Sequence, residues 1–214
     1  MELLVVMAII AIIATAAVTG FSSVNSALGL STAAQAITSE ITTARQTALT
    51  YSETVEIRFY YYTDSITGTS QCQAIQSFST TDGINFTQLD RITYLPRSIM
   101  ISKSTGTSTT ALSYPFGESN TTVNPTLTGT GTTGALSIPG TVGLNYTYKS
   151  LRFKPGGSID FVMPASGAPT GWPPTSWYVT LFEKKYASSA NSAIKNFVTI
   201  NVDATDGRVR TFQP

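Results

Sequence analysis

A single carboxylate, Glu2, precedes sixteen residues that are apolar apart from Thr15, and the next charged residue along the chain is Glu40. An ionised group beside so much apolar surface is costly unless an opposite charge or a hydrogen-bond donor meets it. Glu2 is therefore the first candidate functional residue of the chain.

The rest of the sequence offers little material for catalysis. Histidine, the commonest general base and metal ligand, is absent, and the single Cys72 excludes an intrachain disulfide. Asp203 and Asp206 stand three residues apart, where solvated turn acids are favoured over a calcium site. Residues 129–134 carry the spacing of a dinucleotide-binding loop but lack the preceding strand and following helix. The sequence predicts no enzymatic activity, no cofactor and no metal site.

Basic residues are concentrated towards the C-terminus. Residues 149–214 contain eight Lys or Arg and four Asp or Glu, a small electrostatic footprint. Arg208 and Arg210 share a face of a predicted strand because alternate strand residues do so. A solvated strand face is the favoured interpretation. Nucleic-acid contact is the alternative, and its candidate residues are Arg208, Arg210, Lys184 and Lys185, with Lys195, Tyr178 or Tyr186 nearby.

The element that would position Glu2 is the apolar run from Leu3 to Val18. Its sixteen residues are slightly fewer than the ~20 that cross a bilayer as a helix, and a membrane helix is the favoured interpretation. A secretory signal peptide is an alternative because residues 14–16 resemble a cleavage site, although no basic residue precedes Arg45. A buried core helix is the third interpretation.

A second pattern follows the apolar run. Apolar residues recur at intervals of three and four, which is typical of one stripe of a helix, and Ser, Thr, Asn and Gln fill the opposite face. We predict a continuous helix from about Leu3 to Leu49, on the order of 70 Å long. The stripe comprises Phe21, Val24, Leu28, Ala34, Ile37, Ile41, Ala44 and Ala48.

The remainder of the chain is typical of β-structure. Alternating polar and apolar residues predict strands, and Asp-Gly or Pro-Gly-Gly sequences predict the turns at 82–83, 155–157 and 206–207. Residues 104–147, rich in Thr, Gly and Ser, predict a long loop with short strand pieces. The predicted strands are 54–62, 71–79, 84–94, 98–102, 151–153, 159–162, 177–182, 197–202 and 208–212.

Together these elements predict an α+β fold. A long N-terminal helix, membrane-spanning in its first half and amphipathic in its second, would pack on an antiparallel β-sheet, since each must bury its apolar side. The predicted organisation is a transmembrane half-helix at 1–20, an amphipathic half-helix at 21–50 and a β-rich globular domain at 51–214.

The segment Glu2-Leu-Leu-Val-Val-Met-Ala-Ile-Ile-Ala-Ile-Ile-Ala-Thr-Ala-Ala resembles the N-terminal helix of type IV pilins and pseudopilins. The processed chains of that family begin with Phe-Thr-Leu-Ile or Phe-Thr-Leu-Val directly before this glutamate, where Met1 stands here. We interpret this as a start assigned at an internal methionine or as a shortened chain, so the family's cleavage site and methylated first residue cannot be placed. Residues 151–160, 177–181 and 197–210 resemble the GspH minor pseudopilins and their pilus relatives FimT and FimU.

The resemblance implies a pilin-like fold and a non-enzymatic minor pseudopilin, a structural subunit of a type II secretion pseudopilus or a related type IV pilus. It implies that Glu2 pairs with the N-terminal amine of a neighbouring subunit during assembly. The filament-core positions that it implies are Leu3, Val6, Ile10 and Ile13.

The implied partners are other pilins or pseudopilins through the N-terminal helix, inner-membrane lipid, and the prepilin peptidase acting on the full-length precursor. The implied location is the bacterial inner membrane, crossed once, with the globular domain in the periplasm. Two alternatives stay open: a FimT-like minor pilin that binds DNA during DNA uptake, and a secreted β-domain with a signal peptide.

Overall fold

The computed structural model of the protein describes residues 2–63, 70–83, 85–101, 127–132, 145–160, 176–186 and 196–213. Within these ranges, one α-helix precedes the strands of an antiparallel sheet. The elements are α1 Glu2–Tyr51, β1 Thr54–Thr63, β2 Ser70–Thr80, β3 Thr87–Gln88, β4 Thr93–Tyr94, β5 Ile99–Ile101, β6 Leu127–Thr132, β7 Asn145–Phe153, β8 Ser176–Glu183, a 3-10 turn Lys184–Tyr186, β9 Phe197–Asp203 and β10 Val209–Phe212.

The helix ends where the backbone leaves the helical region. Ser52 directly follows Tyr51 and has a φ of 55°. A left-handed residue at this position is a common way for a helix to stop, because the hydrogen-bond ladder cannot continue through it. The chain then turns directly into β1.

The helix packs on the sheet through a stripe in its second half. The prediction of a buried stripe is confirmed at Ala34, Ile37, Ile41, Ala44 and Ala48, each at most 7% exposed. It is wrong at Leu28, which is 61% exposed. The stripe instead continues to Leu30 and Ala33, and the side chains of Phe21 and Val24 lie outside the description.

The membrane-spanning half of the helix is the principal error of the sequence-based prediction. In the part of the chain that the structure describes, no helix is both long enough and apolar enough to cross a membrane. A span needs about 20 consecutive apolar residues, whereas the run from Leu3 to Val18 has sixteen and is soon followed by Ser22 and Ser23. The predicted single-pass inner-membrane location is wrong for the same reason.

The predicted fold class is corrected accordingly. The described chain is mostly antiparallel β-sheet, and the buried helix residues that the structure describes begin at Leu30. The three-part organisation at 1–20, 21–50 and 51–214 stays a prediction, without the membrane assignment.

The strands form one sheet with the order β10-β9-β8-β5-β2-β1-β7-β6. One face is apolar and meets the helix; it includes Val55, Ile57, Phe59, Ile75, Ile99, Leu151, Trp177, Val179, Leu181, Ile200 and Val202. Strands β3, β4 and β5 pair with successive parts of β2. The continuous strand predicted at 84–94 is therefore wrong, because that segment pairs with β2 only in two short pieces.

The hairpin turn predicted at 155–157 is confirmed. Phe153 forms an antiparallel bridge with Ile159, and the amide of Asp160 donates to the carbonyl oxygen of Arg152 at 2.7 Å. The first predicted strand of this hairpin, 151–153, is the end of β7, which pairs with β1 and β6. Residues 161–162 lie outside the described ranges. The Thr- and Gly-rich strand β6 lies in the region expected to be mostly loop.

The face of the sheet opposite the helix carries a buried ion-pair cluster. Glu56 is 1% exposed, and its two carboxylate oxygens each lie 2.7 Å from a guanidinium nitrogen, one of Arg58 and one of Arg152. The Arg58 guanidinium also stacks on Phe78 and Phe86, at 4.3 and 4.8 Å from the ring centroids. A buried carboxylate is stable only when paired in this way, and the cluster holds the segment around Phe86 against the sheet.

The helix and two turns meet at one junction. Arg45 on α1 donates from Nε to the carbonyl oxygen of Asp206 at 2.7 Å. Gly207 and Gly157 both have positive φ angles, of 67° and 77°. A Cβ at Gly207 would lie against the Gly157 carbonyl oxygen and 2.8 Å from Arg45 Cδ. The junction therefore requires glycine at 207 for both its backbone angle and its space.

Replacing this glycine should destabilise the protein more than its backbone angle alone explains. Gly83 has a φ of 73°, and nothing lies within 4 Å of its Cβ position. Gly83→Ala therefore measures the cost of a positive φ angle alone, about 1 kcal/mol of unfolding free energy. We expect Gly207→Ala to lower the free energy of unfolding by roughly 3 kcal/mol, because backbone and Arg45 must also shift. Urea denaturation compares the two variants, and equal losses would contradict the proposed packing at the junction.

A half-buried carboxylate lies between the helix and the sheet. Glu40 on α1 accepts a hydrogen bond from the Ser77 hydroxyl on β2. Burial raises the pKa of the Glu40 carboxyl, and the nearby charge of Asp90 raises it further, while the Ser77 hydrogen bond opposes both. The folded protein therefore holds a proton on Glu40 at pH values where the unfolded chain has released it.

This raised pKa predicts how stability depends on pH. Over roughly pH 4 to 7, the Glu40 contribution to the free energy of unfolding should fall as pH rises, since the folded state binds more protons. Glu40→Gln keeps an oxygen that accepts from Ser77 but cannot ionise, so its stability relative to the parent should increase with pH. Melting temperatures across this range test it.

A control with a different pH window is available at Asp203. Hydrogen bonds from Thr205 lower the pKa of the Asp203 carboxyl below its ordinary value of 3.8, so the stability that this group contributes is lost only as pH falls below about 4. Asp203→Asn should therefore differ from the parent by a constant amount over roughly pH 5 to 7 and by less in more acidic solution. Parallel pH profiles for Glu40→Gln and the parent would show that Glu40 is not desolvated in the folded state.

Candidate subunit interface

The described side chains near the start of α1, between Val5 and Ile13, are apolar and exposed on several faces of the helix. Val6, Ile10 and Ile13 lie on one face at helical spacing and are 54%, 55% and 63% exposed. Further apolar side chains point elsewhere around the axis and are at least half exposed: Val5, Met7, Ile9 and Ile12. Exposed apolar surface of this extent is typical of sites that contact another molecule.

The predicted assembly residue Glu2 is the first residue of α1. Its side chain and that of Leu3 lie outside the description, while Val6, Ile10 and Ile13 are placed as above. Twenty-eight residues separate Glu2 from Leu30, the first residue of the buried stripe, or about 40 Å along a straight helix. Glu2 therefore lies far from the sheet, at the end of the exposed apolar segment.

The second half of the same helix contrasts with the first. Leu30, Ile37 and Ile41 are fully buried against the sheet, and the core they enter is closed by strands from both ends of the chain. The helix is thus held at its second half, and the described side chains between Val5 and Ile13 are exposed. This arrangement leaves the apolar segment available to another molecule.

The four candidate nucleic-acid contacts do not form one patch. Arg210 lies opposite Asn201 on β9, which lies opposite Tyr178 on β8. Lys184 is six residues beyond Tyr178 along the β8 direction, roughly 20 Å away. The structure brings Arg208 and Arg210 together at one end of this strand group and places Lys184 and Lys185 at the other.

Acidic neighbours also offset part of this positive charge. Arg208 Nε lies 3.0 Å from an Asp206 carboxylate oxygen. Lys185 Nζ lies 2.6 Å from a Glu183 oxygen, and its ammonium stands 5.0 Å from the Tyr186 ring centroid. Lys195 lies outside the described ranges. The field available to a polyanion is therefore smaller than the count of basic residues indicates.

The candidate metal and thiol groups have structural roles. The Asp203 carboxylate accepts hydrogen bonds from the Thr205 amide and hydroxyl at 2.9 and 2.6 Å, which closes the β9–β10 turn. Cys72 is fully buried, and desolvation raises the pKa of its thiol well above the ordinary range, which makes it a poor nucleophile. Among the residues described, no three Cys, Asp or Glu side chains cluster to hold a metal ion.

A groove between α1 and the edge strand β10 was missed by sequence reasoning. The hydroxyls of Thr38 and Thr42 line it on the helix, and Thr211 lines it on the strand. A polar helix face is normally read as solvated. The available signal was the pair of threonines four residues apart, with Arg45 one turn further along the helix. This pattern predicts a groove only when β10 is known to lie beside the helix.

Comparison with known proteins adds nothing to this geometry. No family model, no curated protein and no solved structure matches the chain. The function is therefore argued from the sequence and from the exposed helix itself.

Proposed function

We propose that the protein is a minor pseudopilin, a structural subunit of a type II secretion pseudopilus or a related type IV pilus. The observation that carries the proposal is the exposure of the apolar side chains between Val5 and Ile13 on a helix whose other half is firmly packed. The similarity of residues 2–17 to pilin and pseudopilin helices supports the same conclusion. In this function the helix is an assembly element, and the sheet domain is what the filament displays.

Assembly would be driven by burial of the apolar helix against the equivalent helices of neighbouring subunits. Complete burial of one isoleucine side chain is worth about 1.5–3 kcal/mol relative to water. Val6, Ile10 and Ile13 on one face, with Ile9 and Ile12 on adjacent faces, allow contact with more than one neighbour. A helix that is apolar all round suits the centre of a multi-helix filament.

Glu2 would set the register of neighbouring helices. A carboxylate surrounded by apolar helices is strongly destabilising unless a cation meets it, and the free α-amine of an adjacent subunit would serve. A misaligned neighbour would leave the charge unpaired, so the pairing selects one axial offset. Glu2 therefore acts in alignment and not in catalysis.

The packed half of α1 would transmit this alignment to the sheet domain. Ile37 and Ile41 are fully buried, and Arg45 bonds the β9–β10 turn. These contacts fix the angle between helix and sheet. Each subunit would then present its sheet at a defined position on the filament surface.

The alternatives receive less support. A DNA-binding role would rest on Arg208 and Arg210, since Lys184 and Lys185 lie roughly 20 Å away at the other end of β8. We infer a binding function. The buried carboxylates of Glu56 and Glu183 are each engaged by cations, which favours structural roles for both.

Removing the Glu2 carboxylate should block incorporation into filaments. We expect Glu2→Ala to reduce incorporation at least about tenfold, because loss of one buried ion-pair partner typically costs several kcal/mol. Sheared filaments from cells that contain the other subunits would be quantified against total protein. Glu53→Ala is the control. Glu53 follows α1 in the chain, so this variant should be incorporated into filaments normally. Normal incorporation of Glu2→Ala would refute the register role.

A further inference from the structure

The groove beside α1 follows the exposed edge of the sheet. Strand β10 is the last strand at one end of the described sheet. Between it and α1 lies a cavity of about 480 Å³, and a second cavity of about 380 Å³ adjoins it near the β9–β10 turn. Thr38 and Thr42 line both. Together the two cavities form one elongated groove along the edge strand, here called the β10 groove.

The backbone of β10 offers hydrogen-bonding groups at this groove. The amide of Asp203 donates to the carbonyl oxygen of Arg208 at 2.9 Å, so these residues form a hydrogen-bonded pair. In an antiparallel ladder such pairs alternate, which directs the main-chain groups of Arg210 towards β9 as well. The amides and carbonyls of Val209 and Thr211 then point away from β9. The same two residues line the β10 groove.

The charge of the β10 groove is positive. Three of its lining residues are arginines, Arg45, Arg208 and Arg210, and its other lining residues are uncharged. Asp206 neutralises part of the Arg208 charge at 3.0 Å. The remainder of the lining is mainly Ser, Thr and Gln, whose hydroxyl and amide groups bond equally to backbone donors and acceptors. The lining is therefore complementary in charge and in hydrogen-bonding groups to an extended acidic polypeptide whose backbone is exposed.

We propose that the β10 groove binds an extended acidic segment of a partner protein, which adds to the sheet as a strand beside β10. Outward groups of Val209 and Thr211 supply the main-chain hydrogen bonds, as in other cases of strand addition. Arg208 and Arg210 select acidic side chains at the end of the strand near the turn. Thr38 and Thr42 face the added strand from the helix.

A polypeptide fits the β10 groove better than a nucleic acid does. Duplex binding depends on several cations spaced along a phosphate backbone, whereas the arginines here are confined to one end and one of them is paired with Asp206. The outward amides of β10 repeat at strand spacing, about 6.8 Å for alternate residues. An added strand matches that repeat.

The test measures binding of a labelled short peptide of alternating Glu and Val to the full chain by fluorescence anisotropy. A proline at 211 removes an outward amide while leaving the bonds to β9 intact, which edge strands tolerate. We expect Thr211→Pro to weaken binding about tenfold. Thr211→Ala, which removes only the side chain and retains the amide, is the matched comparison and should weaken binding clearly less than Thr211→Pro. Arg210→Glu should weaken binding at least as much as Thr211→Pro.

Two further probes separate the outcomes. A peptide of alternating Lys and Val should bind at least about tenfold more weakly than the acidic one. Binding of duplex DNA is the other possible outcome. If Arg210→Glu abolishes DNA binding and Thr211→Pro does not, the groove is a nucleic-acid site and the proposal is overturned. Absence of acidic-peptide binding, or equal binding by Thr211→Pro and the parent, would also overturn it. None of these results depends on filament assembly, so the proposed function is tested separately.

Discussion

The packing of α1 against the inner face of the sheet is the contact on which the rest of the structure depends. Seven small or branched side chains, from Leu30 to Ala48, are at most 7% exposed there. Alanines at 33, 34, 44 and 48 let the helix approach closely, and Leu30, Ile37 and Ile41 fill the space between strands. The described Val, Met and Ile side chains near the start of the helix, from Val5 to Ile13, are at least half exposed and lie outside this contact.

The two faces of the sheet are stabilised by different contacts. The inner face holds the helix, while the outer face is stabilised by Glu56, Arg58 and Arg152 together with aromatic rings. Neither arrangement leaves a reactive group exposed in a cleft that the structure describes. The two surfaces on which the proposals rest are the apolar start of the helix and the edge of the sheet at β10.

The sequence predicted elements whose signal is local. Strand β1, expected at 54–62, is observed at Thr54–Thr63, because side-chain alternation is set within the strand itself. The apolar character of Val6, Ile10 and Ile13 is likewise local to the sequence, although their exposure in the folded chain was not predicted. The predicted buried stripe was wrong at Leu28. The face of the helix that carries the apolar residues changes between Leu28 and Leu30, where the buried residues begin. Pairing of β7 with β6, and the separation of Lys184 from Arg210, depend on register between distant segments, which composition does not encode.

Site-specific photo-crosslinking from position 10 in cells that assemble the filament tests the central claim most directly. A photoreactive residue replacing Ile10 should form crosslinks to the N-terminal helices of neighbouring pilin-like subunits, identified by mass spectrometry. The same residue at Gln46, an exposed position on the packed half of α1, should give few crosslinks to those helices. Crosslinks from position 10 that are confined to the protein's own sheet, or that reach no other subunit, would contradict the account.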